Sequence, residues 1–127
     1  MKKKGKNKGR AAVIRNVVET PWKQYPGHFG GALSKPLVRP ETTGSRLVDY
    51  RISTYQPMAY VETHTHKVQE QIYHVLEGEG AMIIEGKTQI VRRHDVIFIP
   101  PGVSHSIVNN GIEDLTFIVV TTPVEDK

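Results

Sequence analysis

The chain contains no cysteine among its 127 residues. A disulfide framework, thiolate metal ligands and a Cys nucleophile are therefore excluded. The absence suits a reducing compartment, and the expected location is the cytoplasm. No apolar run approaches the ~20 residues that a membrane-spanning helix needs. The lysines at the start are followed by Ala11 to Val18, a stretch too short for a signal peptide and broken by Arg15 and Asn16. There is no internal repeat and no helix-turn-helix, zinc-finger or RNA-binding signature. From residue 46 to 121 there is no sustained helical period. At this length one domain is expected, and it can bury roughly two-thirds of its unfolded surface without staples.

Basic charge is also missing from most of the chain, although the formal net charge is +4. Residues 1–10, MKKKGKNKGR, hold six of the 17 basic residues and no acid, so the remainder carries a balance of −2. This tail has nothing apolar to bury and is expected to be disordered. It offers sequence-independent attraction to polyanions, but nothing elsewhere matches it, so nucleic acid is not an expected partner.

What the chain does have is short runs rich in Val, Ile, Tyr and Phe. Residues 11–45 are punctuated by Pro21, Pro26-Gly27, Gly30-Gly31, Pro36, Pro40 and Gly44, and read as short strands and loops. From about Arg46 the runs become regular, and strands are expected over 46–56, 59–65, 71–77, 80–85, 87–92, 95–99, 104–109 and 114–121. Glu85-Gly86 between apolar runs reads as a tight hairpin. Many short strands at close spacing point to an all-β sandwich or closed barrel.

Within that pattern, His64 and His66 sit two apart in Tyr60-Val61-Glu62-Thr63-His64-Thr65-His66. Alternate residues of a strand share a face, so both imidazoles point the same way. Two neutral imidazoles on one face are half of a metal site. They are followed by Gln71 and Gly78, and later by Pro100-Pro101-Gly102-Val103-Ser104-His105, with Asn109 beyond.

These segments resemble the paired motifs of the cupin superfamily, G-x5-H-x-H-x(3,4)-E-x6-G and G-x5-P-x-G-x2-H-x3-N. The first is matched by His64, His66, Gln71 and Gly78, and the second by Pro100, Gly102, His105 and Asn109. Met58 and His94 stand where the motifs begin with glycine, and small backbone adjustments are expected there. Gln71 stands where the family has an acid. Glu70 is the alternative at that position, but spacing to Gly78 and strand phase favour Gln71. The resemblance implies a cupin-type jelly-roll barrel in a single domain over 46–122. Residues 11–45 would supply N-terminal strands and loops able to serve as a dimer arm, and 123–127 a C-terminal tail.

The resemblance also implies one divalent transition metal held by His64, His66, Gln71 and His105. Iron, manganese, nickel, zinc, cobalt and copper all suit nitrogen and oxygen ligands. With no carboxylate in the set, the full charge of the ion would be left uncompensated, which favours an anionic ligand. The expected function is a metal-dependent enzyme of lyase, isomerase or dioxygenase type acting on a small oxygenated, anionic organic molecule. The rival is a non-catalytic small-ligand or sugar-binding cupin. A homodimer is expected by resemblance. Tyr73, in phase with Gln71, is a candidate to contact substrate, and Glu62, in phase with His64, is a candidate general base. Arg51 would hold a substrate carboxylate if it faces inward. His74 should face away from the site, and Asn109 can be explained as an end-of-strand cap.

Overall fold

The turns foreseen between the apolar runs are tight, and several are stamped by their backbone angles. The structure is a computed structural model and describes residues 11–127; the expected basic tail lies outside the described residues. Glu85 and Gly86, with φ of 50° and 78°, form a two-residue hairpin of the I′ kind between the paired Ile84 and Lys87. Met58 (φ 78°) follows Pro57 in a turn closed by the Ala59 amide donating to the Gln56 carbonyl. His94 (φ 77°) occupies the same place in the turn from Arg92 to Asp95. These are positions that glycine fills most easily, and here Met and His accept the left-handed angle. Gly78 has no such freedom to vary. It combines φ 86° with a Cβ position that would run into the Asp114 carbonyl.

Ten strands result: β1 His28–Phe29, β2 Ala32–Val38, β3 Asp49–Tyr55, β4 Tyr60–Val61, β5 Glu70–Glu77, β6 Glu79–Ile84, β7 Lys87–Arg92, β8 Val96–Ile99, β9 His105–Val108 and β10 Leu115–Thr122. They form two five-stranded antiparallel sheets, ordered β1-β4-β9-β6-β7 and β2-β3-β10-β5-β8. The fold is all-β, as the strand pattern led us to expect, and a jelly roll, as the resemblance implied. β1 and β2 come from the 11–45 segment and belong to the two sheets themselves. A one-turn helix, Pro40–Thr43, connects β2 to β3. No helix among the described residues is long and apolar enough to cross a membrane.

Alternation puts one face of each central strand inside. On β10 the buried residues are Leu115, Phe117, Val119 and Thr121, and on β5 they are Gln71, Tyr73 and Val75. Phe117, Met82, Ile107, Leu115 and Val75 fill one end of the interior, each almost wholly buried. Each such side chain contributes roughly 1.5–3 kcal/mol by leaving water. Toward the other end the same inward rows turn polar. Register sets Asp49, Thr121 and Gln71 side by side across β3, β10 and β5, with Arg51, Val119 and Tyr73 in the next row. The packed end holds the barrel together and the polar end opens as a cleft.

One expected element is much shorter than the sequence suggests. The strand placed over 59–65 survives only as Tyr60–Val61. Beyond it the Glu62 amide donates to the Gly27 carbonyl, and His64 makes a single bridge to His105. The segment crosses the open end of the barrel at this point, so it pairs with whichever backbone it passes and cannot keep one partner.

Candidate metal centre

His64 and His66 are brought together by this irregular crossing. The His64 amide and carbonyl exchange hydrogen bonds with those of His105, both 3.0 Å long, which pins the His64 segment to the start of β9. His66 lies beyond it in a loop, and its carbonyl accepts from the Gly102 amide. The three imidazoles form a compact group with ring centroids 4.2 Å (His64–His105), 5.0 Å (His64–His66) and 5.6 Å (His66–His105) apart. One ring nitrogen of each lies within 4.8 Å of the others, a spacing at which the three can hold a metal ion.

The second nitrogens explain how the rings are aimed. His64 Nδ1 faces the Glu62 carbonyl at 2.7 Å, and His105 Nδ1 faces the Val103 carbonyl at 2.9 Å. A carbonyl only accepts, so in the neutral His64 ring the proton sits on Nδ1 and Nε2 keeps its lone pair, whereas both nitrogens of His105 face carbonyl oxygens and one ring proton can serve only one of them. Backbone carbonyls fix ligand histidines in this way in many metal sites. His66 Nε2 is buried and has no hydrogen-bond partner. Such orphaned atoms are rare and call for a reason.

Gln71 completes the group from β5. Its amide nitrogen donates to Thr121 Oγ1 at 3.0 Å, and its carbonyl oxygen lies 2.8 Å from His105 Nε2. Burial, opposed by the Val103 carbonyl and helped by the two other histidines, pushes the His105 pKa down to about 4, so the ring is neutral near pH 7. A neutral His105 has one ring proton for two carbonyl oxygens, those of Val103 and Gln71, so one of the two contacts sets lone pairs against each other. With the proton on Nδ1, a cation shared between Nε2 and the Gln71 oxygen relieves that opposition. His66 is also held below the usual histidine range, chiefly by burial and then by the neighbouring His64. The donor set of three imidazole nitrogens and an amide oxygen therefore fits a divalent transition metal.

Glu70 is exposed and alternates away from this interior, while Gln71 is buried. Tyr73 is 4% exposed, with its ring 6.1 Å from that of His105. Glu62 is exposed at the cleft mouth beside Gly27. His74 lies on the opposite face of β5 from Gln71. Asn109 is wholly buried and structural: its amide donates to the Tyr55 and Glu113 carbonyls, and its oxygen accepts from the Gly111 amide.

One feature escapes a reading of the sequence. The Asp126 carboxylate, near the chain end, accepts from the amides of Lys67, Val68 and Gln69 at 2.8, 2.8 and 3.2 Å. It stands 3.8 Å from His66 Nδ1. Gln69 returns the clasp by donating to the Pro123 and Val124 carbonyls. The expected C-terminal tail thus holds the loop that carries His66, and a separation of nearly 60 residues left no signal for it. The condition set for Arg51 is met: it faces inward and lines the cleft of about 410 Å³ into which His64 and His66 open.

The cupin domain family matches residues 51–121. The oxalate-binding protein of Thermotoga maritima is 41% identical over 114 residues, which cover 88% of this chain and 94% of that protein. Among solved structures, a predicted oxalate decarboxylase from Thermotoga maritima superposes with a TM-score of 0.79 at 27% identity, covering 87% of this chain and 99% of that one. The polyketide cyclase RemF from Streptomyces resistomycificus gives 0.79 at 23% identity, with 91% and 81% covered, and shares the fold.

Proposed function

The chain belongs to the cupin domain family, and from that premise we propose that it is a metal-dependent enzyme acting on a small, oxygenated, anionic organic molecule. His64, His66, His105 and Gln71 would hold one divalent transition metal. The observation that carries this reading is the buried, unpartnered His66 Nε2 facing two further imidazoles whose own Nδ1 atoms are tied to backbone carbonyls. When bound, the ion supplies Lewis acidity to substrate oxygens.

The protein's own groups supply orientation and screening from water. The all-neutral donor set leaves the ion's charge uncompensated, so the cleft attracts carboxylate and enolate oxygens. The names of the relatives, oxalate-binding protein and predicted oxalate decarboxylase, agree with a carboxylate ligand and lean the reaction toward a lyase. Tyr73, buried beside His105, offers a hydroxyl to a substrate oxygen. Burial raises its pKa above the usual phenol range, so it acts as a donor and not as a base. Glu62 at the mouth is the carboxylate positioned to exchange a proton with a substrate seated in the cleft.

A second reading, a binding protein without catalysis, is favoured by one observation. Of the two carboxylates beside the histidines, Glu62 at the mouth is exposed and Asp126 is taken up by three backbone amides. Elemental mass spectrometry on the wild type and on His64→Ala, Gln71→Ala and Glu70→Ala, followed by oxalate turnover of the loaded protein, separates these readings. About one metal per chain, lost with His64, weakened with Gln71 and kept without Glu70, supports the assigned ligands. Oxalate bound but unchanged by metal-loaded protein moves the assignment to the binder. No metal after reconstitution, or equal retention in all variants, overturns the site.

A further inference from the structure

An amide side chain has two unlike ends, and only one of them can face a cation. Its oxygen offers lone pairs, while its nitrogen offers N–H donors and nothing else. A carboxylate at the same place has no wrong end. Gln71, standing where the family has an acid, therefore has to be held with its oxygen toward the histidines.

Gln71 of β5 and Thr121 of β10 are register partners, and both side chains point into the cleft. Gln71 Nε2 donates to Thr121 Oγ1 at 3.0 Å, and Gln71 Oε1 is left 2.8 Å from His105 Nε2. Gln71 is 8% and Thr121 7% exposed, so little water reaches the pair. A buried N–H that loses its acceptor carries a full desolvation cost, unlike one that water can serve. Asp49, the next polar side chain in the row beyond Thr121, is not open to the amide. Its carboxylate is taken by the guanidinium groups of Arg39 and Arg51.

His105 competes for the same N–H group. When its own proton faces the Val103 carbonyl, the lone pair on Nε2 is a ready acceptor. With no acceptor on the Thr121 side, the amide can still pair its nitrogen by turning over toward His105. That turn takes up the His105 lone pair and withdraws the Gln71 oxygen, so two of the four donors are lost together.

We propose that Thr121 is a positioning residue for the metal centre. Its hydroxyl holds the Gln71 nitrogen, so that the amide presents its oxygen to the cluster and leaves the His105 lone pair free. The proposal rests on the metal reading of the histidines. It gives Thr121 a task that exists because residue 71 is an amide and that vanishes when residue 71 is a carboxylate.

Two arms test it. In the first, manganese is titrated by calorimetry into metal-free wild type, Thr121→Val, which keeps the shape without the hydroxyl, and Thr121→Ser, which keeps the hydroxyl. Thr121→Val should bind manganese about tenfold more weakly, and Thr121→Ser should stay within about twofold of the wild type. In a Gln71→Glu background, Thr121→Val should cost no more than about twofold, because a carboxylate has no N–H to strand. If Thr121→Val does not fold, Thr121→Ala makes the same comparison. Equal losses in the two backgrounds overturn the proposal, and so does a hydroxyl-free variant that binds as the wild type does.

The second arm uses metal-free, nitrogen-15-labelled protein and follows the Nε2 signal of His105. It should move in Thr121→Val, where the Gln71 N–H turns to it, and stay in place in Thr121→Ser. If manganese loads into none of the proteins, the metal function falls while this arm still decides which end of Gln71 faces His105. A His105 signal that is the same with and without the hydroxyl overturns the assignment of Thr121.

Discussion

At the scale of single residues, the departure that matters most is Gln71. An amide in place of a carboxylate leaves the donor set neutral, and Coulomb's law makes the consequence two-sided. Gln71→Glu should tighten divalent metal binding by about tenfold, because a full negative charge then faces the cation. The same change should weaken oxalate binding to the loaded protein, because less positive charge is left for the anion. Paired calorimetric titrations of metal and oxalate check both directions, and parallel changes would contradict the account. His105 offers a prediction in pH. Its folded pKa, about 4, lies below the ordinary value of 6.5, so the unfolded chain binds the proton more tightly. The stabilising contribution of the neutral ring is complete above pH 6.5 and disappears as the pH falls toward 4. At roughly 1.4 kcal/mol per pKa unit, the metal-free protein should lose about 2–3 kcal/mol over that window beyond what His105→Gln loses. Urea unfolding of both proteins at pH 7 and pH 4.5 measures it.

At the scale of elements, the loop carrying His66 depends on a residue far along the chain. Asp126 satisfies three consecutive amides, and its pKa is lowered by those same amides. Asp126→Ala should leave the barrel folded, with a melting temperature a few degrees lower. It should free the Lys67, Val68 and Gln69 amides to exchange with solvent and weaken metal binding roughly tenfold through the misplaced His66. Hydrogen exchange together with a metal titration decides the matter. Faster exchange with unchanged metal affinity would reduce the clasp to a purely structural role. Strands such as β5, β6, β7 and β10 were legible because alternation and turn residues are local properties. The crossing from Glu62 to Gln69 was not, because its form is set by Gly27, His105 and Asp126, all distant in sequence.

At the scale of the whole molecule, the outer face of the β2-β3-β10-β5-β8 sheet is apolar. Ile72 pairs with Phe98 and Val120, and His74 pairs with Val96 and Ile118, in two adjacent rows. Phe98 is 54% and Val96 62% exposed, more than an isolated sheet edge usually leaves in water. We expect a second copy to cover this face. Phe98→Glu should halve the mass measured by light scattering without altering metal content, and a monomeric wild type would refute the assignment.

The sequence by itself determined an all-β chain of short strands and the hairpin at Glu85-Gly86, because alternation and turn preference are carried by short stretches of chain. Its resemblance to the cupin motifs added the expectation of a jelly roll, of turns at Met58 and His94, and of His64, His66 and His105 as candidate ligands. Only the tertiary structure decided that the His64–His66 segment is a crossing and not a strand, that Asp126 clasps it, and that Arg51 shares Asp49 with Arg39 across from the histidines. Those outcomes depend on long-range register, which sets residues tens of positions apart side by side and has no local signature to read.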